Sequence, residues 1–202
     1  MIAYMESNFA LQWILRQEQF DAVDTILNLA ERREVDLRIP VFALVESEWK
    51  LRSQDIKRSQ LQEAVAEEMR QHRRSKYREN VARLLEQLQG DLRAVANEDT
   101  DLHTHLVNRC SMAARILSLT QPVLTQALVV QRDHGLQFKD AVVLASILSD
   151  LAAERSVDDK LLITTDRDFS NDEVREVLQA YNCRVIAGFV PGLAAIRAGR
   201  SA

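Results

Sequence analysis

Two kinds of apolar pattern alternate along the chain. Short, nearly continuous runs occur at Ile2-Ala3-Tyr4-Met5, at Leu37-Arg38-Ile39, at Leu161-Leu162-Ile163 within residues 160–164, and at residues 183–186. Such runs read as strands of a buried sheet. Longer segments with apolar residues three and four apart predict helices. They cover about residues 9–16, with Ser7 or Asn8 as the cap, then 20–33, with Val23, Ile26, Leu27 and Ala30 on one face. The next is Val41 to about residue 52, where Pro40 suits the first helical position and Phe42, Val45, Glu46 and Trp49 share one stripe. Residues 55–89 are charged and helix-favouring, and Gly90 is the expected break. Further helices are predicted over about 100–119, 122–132, 138–153 and 172–180, with a short one in the tail from 188.

Strand–helix alternation at both ends predicts an α/β domain with a parallel sheet. The reading is one domain over residues 1–202, with 53–134 as a helical elaboration, an all-helical subdomain there being the alternative. Composition agrees. Of 202 residues 47% are apolar and 28% charged, and only five glycines and three prolines occur, which argues for long helices and against a barrel or sandwich. The net charge of −4 excludes a global electrostatic footprint for nucleic acid, so affinity for it must come from a local patch. Cys110 and Cys183 form no CxxC pattern and nothing basic marks Cys110 as activated; with Met112 it is expected in the core. No apolar stretch is long enough for a transmembrane span and no signal peptide is expected at the N-terminus, so a cytoplasmic protein is expected.

Four acids stand where ordinary surface acids do not. Glu6 ends the first apolar run, and Asp166 closes the run that reaches Thr165, with Asp168 two residues on. Glu46 lies on the predicted apolar stripe, and Asp140 aligns with Val143, Leu144 and Ile147. A buried carboxylate is costly unless it is paired or bound to a cation. In open parallel sheets, functional groups gather beyond the carboxyl ends of the strands. Carboxylates sharing one crevice repel, and Mg²⁺ or Mn²⁺ with its oxygen preference removes that conflict. Ordinary explanations stand beside each acid: helix-start charge for Asp140, an ion pair with Arg52 or another base for Glu46, turn shaping for Asp168 and Asp172, and binding of the next helix's amides for Glu6.

These residues, in this order, resemble the PIN-domain nucleases. The matching segments are Tyr4-Met5-Glu6-Ser7-Asn8-Phe9, Ile39-Pro40-Val41-Phe42-Ala43-Leu44-Val45-Glu46, Lys139-Asp140-Ala141-Val142-Val143-Leu144-Ala145-Ser146 and Ile163-Thr164-Thr165-Asp166-Arg167-Asp168-Phe169. The match covers about 120 residues at the two ends of the chain. It implies a three-layer α/β/α fold with a short central parallel sheet and an Mg²⁺ or Mn²⁺ pocket that hydrolyses single-stranded RNA. Glu6, Glu46, Asp140 and Asp166 would be catalytic metal ligands, Asp168 a supplementary acid, and Asn8 and Thr165 supporting residues. Lys139 would contact substrate. The first position is Glu6 where the family mostly has Asp, which leaves open a non-catalytic PIN-like module that binds RNA or a protein.

Residues 50–93 hold eleven Lys/Arg against seven Asp/Glu. Arg73, Arg74, Lys76, Tyr77 and Arg78 are its densest part and the candidate single-strand contact, by phosphate pairing and base stacking. A solvated, ion-paired helix face is the alternative. His103-Thr104-His105 reads as ordinary surface, since the two rings diverge on a helix. A toxin-like or defence-associated role, an antitoxin-like protein partner and a homodimer are open at this level. A phosphatase that phosphorylates an Asp ranks below these, because no Asp ends the first strand.

Overall fold

The computed structural model describes residues 1–75 and 77–199. The strands are β1 (Ile2–Met5), β2 (Asp36–Pro40), β3 (Arg115–Leu117), β4 (Lys160–Thr164) and β5 (Cys183–Ala187). The helices are α1 (Ser7–Ile14), α2 (Phe20–Glu31), α3 (Val41–His72), α4 (Glu79–Ala113), α5 (Gln121–His134), α6 (Phe138–Ala153), α7 (Asp172–Gln179) and α8 (Phe189–Gly199). One sheet, all parallel, has the order β3-β2-β1-β4-β5. The chain therefore steps outward from β1 to β3, then crosses back to lay β4 on the other side of β1. The crevice between β1 and β4 is the point where the strand order reverses, and such points collect ligand-binding groups in open α/β sheets.

Every residue of β1 and β4 is buried. Successive strand side chains point to opposite faces, so both faces of the sheet centre are covered. Among the helices, α1, α2 and α8 pack with one another in sequence, and α5 packs along α6. Helix α8 meets β4 so closely that a Cβ on Gly192 would lie 2.5 Å from Ile163 Cγ2. Gly192→Ala is therefore expected to cost about 1–3 kcal/mol by overpacking, read by urea unfolding; an unchanged midpoint would contradict this packing.

The chain forms two compact units, Met1–Ser47 with His105–Ala202, and Glu48–Thr104. The first carries the sheet. The second is an antiparallel pair of helical segments, tied by Arg58 to Asp99 at 2.7 Å and by Arg73 to Glu86 at 3.0 Å. Its bounds are narrower than the expected elaboration of 53–134, because β3 and α5 belong with the sheet. The expected helix over 100–119 ends at Ala113, and residues 115–117 become the edge strand β3 by pairing with Arg38–Pro40 of β2. Gly90 does not break the chain either. It lies inside α4 with open space around its Cα, and a glycine in a helix interior costs only about 1 kcal/mol. The break falls instead between His72 and Glu79. Pro40 ends β2, and Val41 opens α3.

A buried ion cluster on the sheet was not apparent from the pattern. Arg38 in β2 stands in register with Tyr4 of β1 and Arg115 of β3. Its guanidinium reaches Asp150 of α6, Asp36 and Glu154, each at 2.6 Å. Tyr4 donates its hydroxyl to Asp150 at 2.8 Å, and Arg115 approaches the other Asp150 oxygen at 3.3 Å. Burial opposes the charge on Arg38, but the hydrogen bonds it donates to Asp36, Asp150 and Glu154 more than offset this and raise its pKa. Burial and the Asp150 bond push the Tyr4 hydroxyl pKa upward as well. The two cysteines are buried, and burial pushes each thiol up to about 12, as expected for core residues. Met112 is exposed, against expectation. Among the described residues no helix is long and apolar enough to cross a membrane.

Candidate functional site

The parallel register brings the carboxyl ends of β1 and β4 side by side, Met5 pairing with Ile163. Glu6 follows β1 and is only 3% exposed. One of its oxygens accepts the Asn8 amide at 2.7 Å, which makes Glu6, rather than Ser7 or Asn8, the N-cap of α1. The other oxygen accepts the Thr164 hydroxyl at 3.1 Å. The same hydroxyl accepts the Asp166 amide at 2.9 Å. Its single proton is therefore directed at Glu6, and Thr164 links the two strand-end acids. Asp166 in turn accepts the Asp168 amide at 2.9 Å, which closes the turn into a short 3-10 helix at Asp168–Ser170.

The other two acids come from helix starts. Glu46 lies in the second turn of α3 and is 5% exposed, but not for the expected reason. Trp49 is 55% exposed, Val45 is exposed and Phe42 is only half-buried, so the stripe of Phe42, Val45 and Trp49 is not the core face of the helix. Beside Glu46 along the helix, Ala43, Leu44 and Ser47 are buried. Glu46 pairs with a base, as its ordinary explanation expected, while Arg52 binds Glu48 at 2.6 Å. One partner is Lys139 of α6, whose Nζ lies 3.1 Å from Oε1. Asp140, in the first turn of α6, is 4% exposed, and the same Nζ lies 3.8 Å from its Oδ1.

The two halves feel each other. The carboxyl of Asp140 is pushed up to about 6, first by burial and then by the charges of Glu46, Asp166 and Asp168, with Lys139 pulling the other way. Burial opposes the charge on Lys139, but Glu46, Asp140 and Asp166 hold its pKa above the usual value. Glu46, Asp140, Asp166 and Asp168 thus share one electrostatic neighbourhood, and Glu6 joins it through Thr164. Asp168 is exposed, while Asn8 and Thr165 are half-buried. It is Thr164, not Thr165, whose hydroxyl organises the acids.

All four acids offer hard oxygen donors, the kind Mg²⁺ and Mn²⁺ prefer. Among the described residues no three His, Cys, Asp or Glu side chains are drawn together into a ready-made metal cage. Mg²⁺ keeps several of its waters and uses one or two carboxylates directly, so this donor set fits such an ion bound largely through water. A cavity of about 350 Å³ opens elsewhere, beside β3. Its lining, which includes Arg115, Ser118, Ser149 and Asp150, contains none of the four acids.

The basic stretch lies in the unit Glu48–Thr104. Tyr77, Arg73, Arg74 and Arg78 are exposed there, and Lys76 falls outside the described residues. Arg73 is ion-paired with Glu86, and Arg78 stands 3.5 Å from the His72 ring, so part of this charge is already engaged within its own unit. His105 is no idle surface residue. It stacks on Trp13 with ring centroids 5.7 Å apart.

Sequence reasoning missed the bridging place of Lys139 and the link made by Thr164. A signal for the first existed: a lysine immediately before a buried acid at a helix start. No family model matches the chain, and no curated protein and no solved structure matches it.

Proposed function

We propose that the chain is a metal-dependent endoribonuclease of PIN type, with a three-layer α/β/α core, that hydrolyses phosphodiester bonds of single-stranded RNA in the cytoplasm. The observation that carries the reading is the state of Asp140. Buried beside Glu46, Asp166 and Asp168, its carboxyl is pushed up to about 6 even with Lys139 at hand. The carboxylates around Asp140 outweigh the one ammonium beside it, and they lie beyond the strand ends where the sheet order reverses.

In this reading Glu6, Glu46, Asp140 and Asp166 hold Mg²⁺ or Mn²⁺, directly or through water, and Asp168 adds negative charge at the rim. The ion, when bound, activates water and neutralises charge that develops on the phosphate. Thr164 keeps Glu6 and Asp166 in fixed relation, and the cap on α1 fixes the Glu6 rotamer. Arg73, Arg74, Lys76, Tyr77 and Arg78 are the proposed RNA contacts of the helical unit.

The test is incubation of labelled single-stranded RNA with the protein and Mn²⁺, or with EDTA. Cleavage is expected only with Mn²⁺ and is expected to fall about a hundredfold or more in Asp166→Asn. Cleavage that survives EDTA, or that is equal in Asp166→Asn, would remove the assignment. One observation favours a second reading, a PIN-like module that binds RNA without cutting it. Glu6 already caps a helix, and among the described residues no cage is preassembled. Salt-sensitive RNA binding with no turnover under either metal would select it.

A further inference from the structure

Resting on the proposed metal centre, we infer that Lys139 is a built-in counter-cation: it holds Glu46 and Asp140 together in the metal-free protein and must leave them when a divalent ion enters. Lys139 thereby sets how tightly the site takes metal.

The ammonium bridges two carboxylates that come from different helices, at 3.1 Å and 3.8 Å. Both carboxylate side chains are 6% exposed, whereas that of Lys139 is 39% exposed. The acids are fixed in the protein, while the lysine approaches from the solvent side on a four-carbon stem. Such a stem swings clear by rotation about its own bonds, and the charge then rests in water. A divalent ion and an ammonium cannot both sit on the same oxygens, because like charges at such separations repel strongly. One cation therefore replaces the other. Exchange of this kind also fits the folding of two buried helix-start acids side by side in the absence of metal, since the lysine offsets part of their repulsion.

Three measurements test it. Mn²⁺ affinity is read from the free Mn²⁺ electron paramagnetic resonance signal in wild type, Lys139→Met and Lys139→Arg. Lys139→Met is expected to bind Mn²⁺ about tenfold tighter or more, and Lys139→Arg to stay near wild type, since it keeps the competing charge. Thermal unfolding is expected to show a lower metal-free Tm for Lys139→Met and a larger rise on adding Mn²⁺. In wild type, with no substitution that could impair folding, Mn²⁺ is expected to speed labelling of Lys139 by an amine-reactive reagent several-fold, read by peptide mass spectrometry. Equal Mn²⁺ affinity in wild type and Lys139→Met, or labelling that Mn²⁺ leaves unchanged or slows, overturns the inference while the metal centre stands. Absence of Mn²⁺ binding in every form overturns the metal centre and this inference with it.

Discussion

Asp140→Asn is expected to raise the stability of the metal-free protein while it removes metal-dependent cleavage. The carboxyl of Asp140 has an ordinary pKa of 3.8 and stands at about 6 in the folded chain. The fold thus holds this proton more tightly than the unfolded chain does. The stabilisation that follows is present in full below about pH 4 and is lost as the pH rises through about 6. Across that window it amounts to about 3 kcal/mol, lost because the buried ionised carboxylate faces Glu46, Asp166 and Asp168. Asparagine keeps the shape and carries no charge. At pH 7.5 in EDTA the variant is expected to be more stable than wild type by up to about 3 kcal/mol, less whatever the Lys139 contact contributed; at pH 4 the two should nearly coincide. Urea unfolding at both pH values reads the difference. A variant no more stable than wild type at pH 7.5 would mean that Asp140 is not strained by its neighbours. On the proposed function the same variant loses cleavage about a hundredfold or more, because the acid that costs stability is one the ion needs.

Arg38→Met is expected to cost about 3–5 kcal/mol. Removing the guanidinium leaves Asp150 and Glu154 without the cation that approaches each at 2.6 Å, and Asp150 is buried beside Tyr4. Arg115, with its side chain 58% exposed and 3.3 Å away, compensates only in part. The loss should be recovered in part when Asp150 is also replaced by Leu, since that removes the more buried of the two stranded carboxylates, while Glu154 and the Tyr4 hydroxyl still lack their partners. Urea midpoints of the single and double variants form the test. A loss under about 1 kcal/mol for Arg38→Met would show that the cluster is solvated and contributes little. Register makes the cluster consequential for the site. Asp150 of α6 takes Tyr4 from β1, Arg38 from β2 and Arg115 from β3, and the same helix carries Lys139 and Asp140.

The acids were legible in the sequence because each interrupts an apolar pattern. Glu6 and Asp166 end runs that alternation and length mark as strands, and Asp140 opens a helix that is buried along most of its length. Their partners were not legible. Thr164 bridges Glu6 and Asp166 only because β1 and β4 are neighbours, although 158 positions separate them along the chain. Glu46 was placed on the wrong stripe, since the apolar period of Phe42, Val45 and Trp49 fixes a face but not which face meets the core. Lys139 was assigned to substrate because nothing local shows that Glu46 comes within 3.1 Å of it. β3 was hidden for a similar reason. Three residues, Arg115-Ile116-Leu117, carry too little pattern to outweigh a helical neighbourhood, and only the open edge of β2 makes them a strand.

By itself, then, the order of residues determined the α/β class, the buried strands β1 and β4, the long helices, and the unusual positions of Glu6, Asp140 and Asp166. Tertiary structure decided the strand order, the crevice between β1 and β4, the Lys139 bridge and the Arg38 cluster. The physical reason is range. Backbone propensity and apolar period act within a turn or a strand, whereas the pairing of charges depends on the sheet register, which places side chains from distant segments within hydrogen-bonding distance.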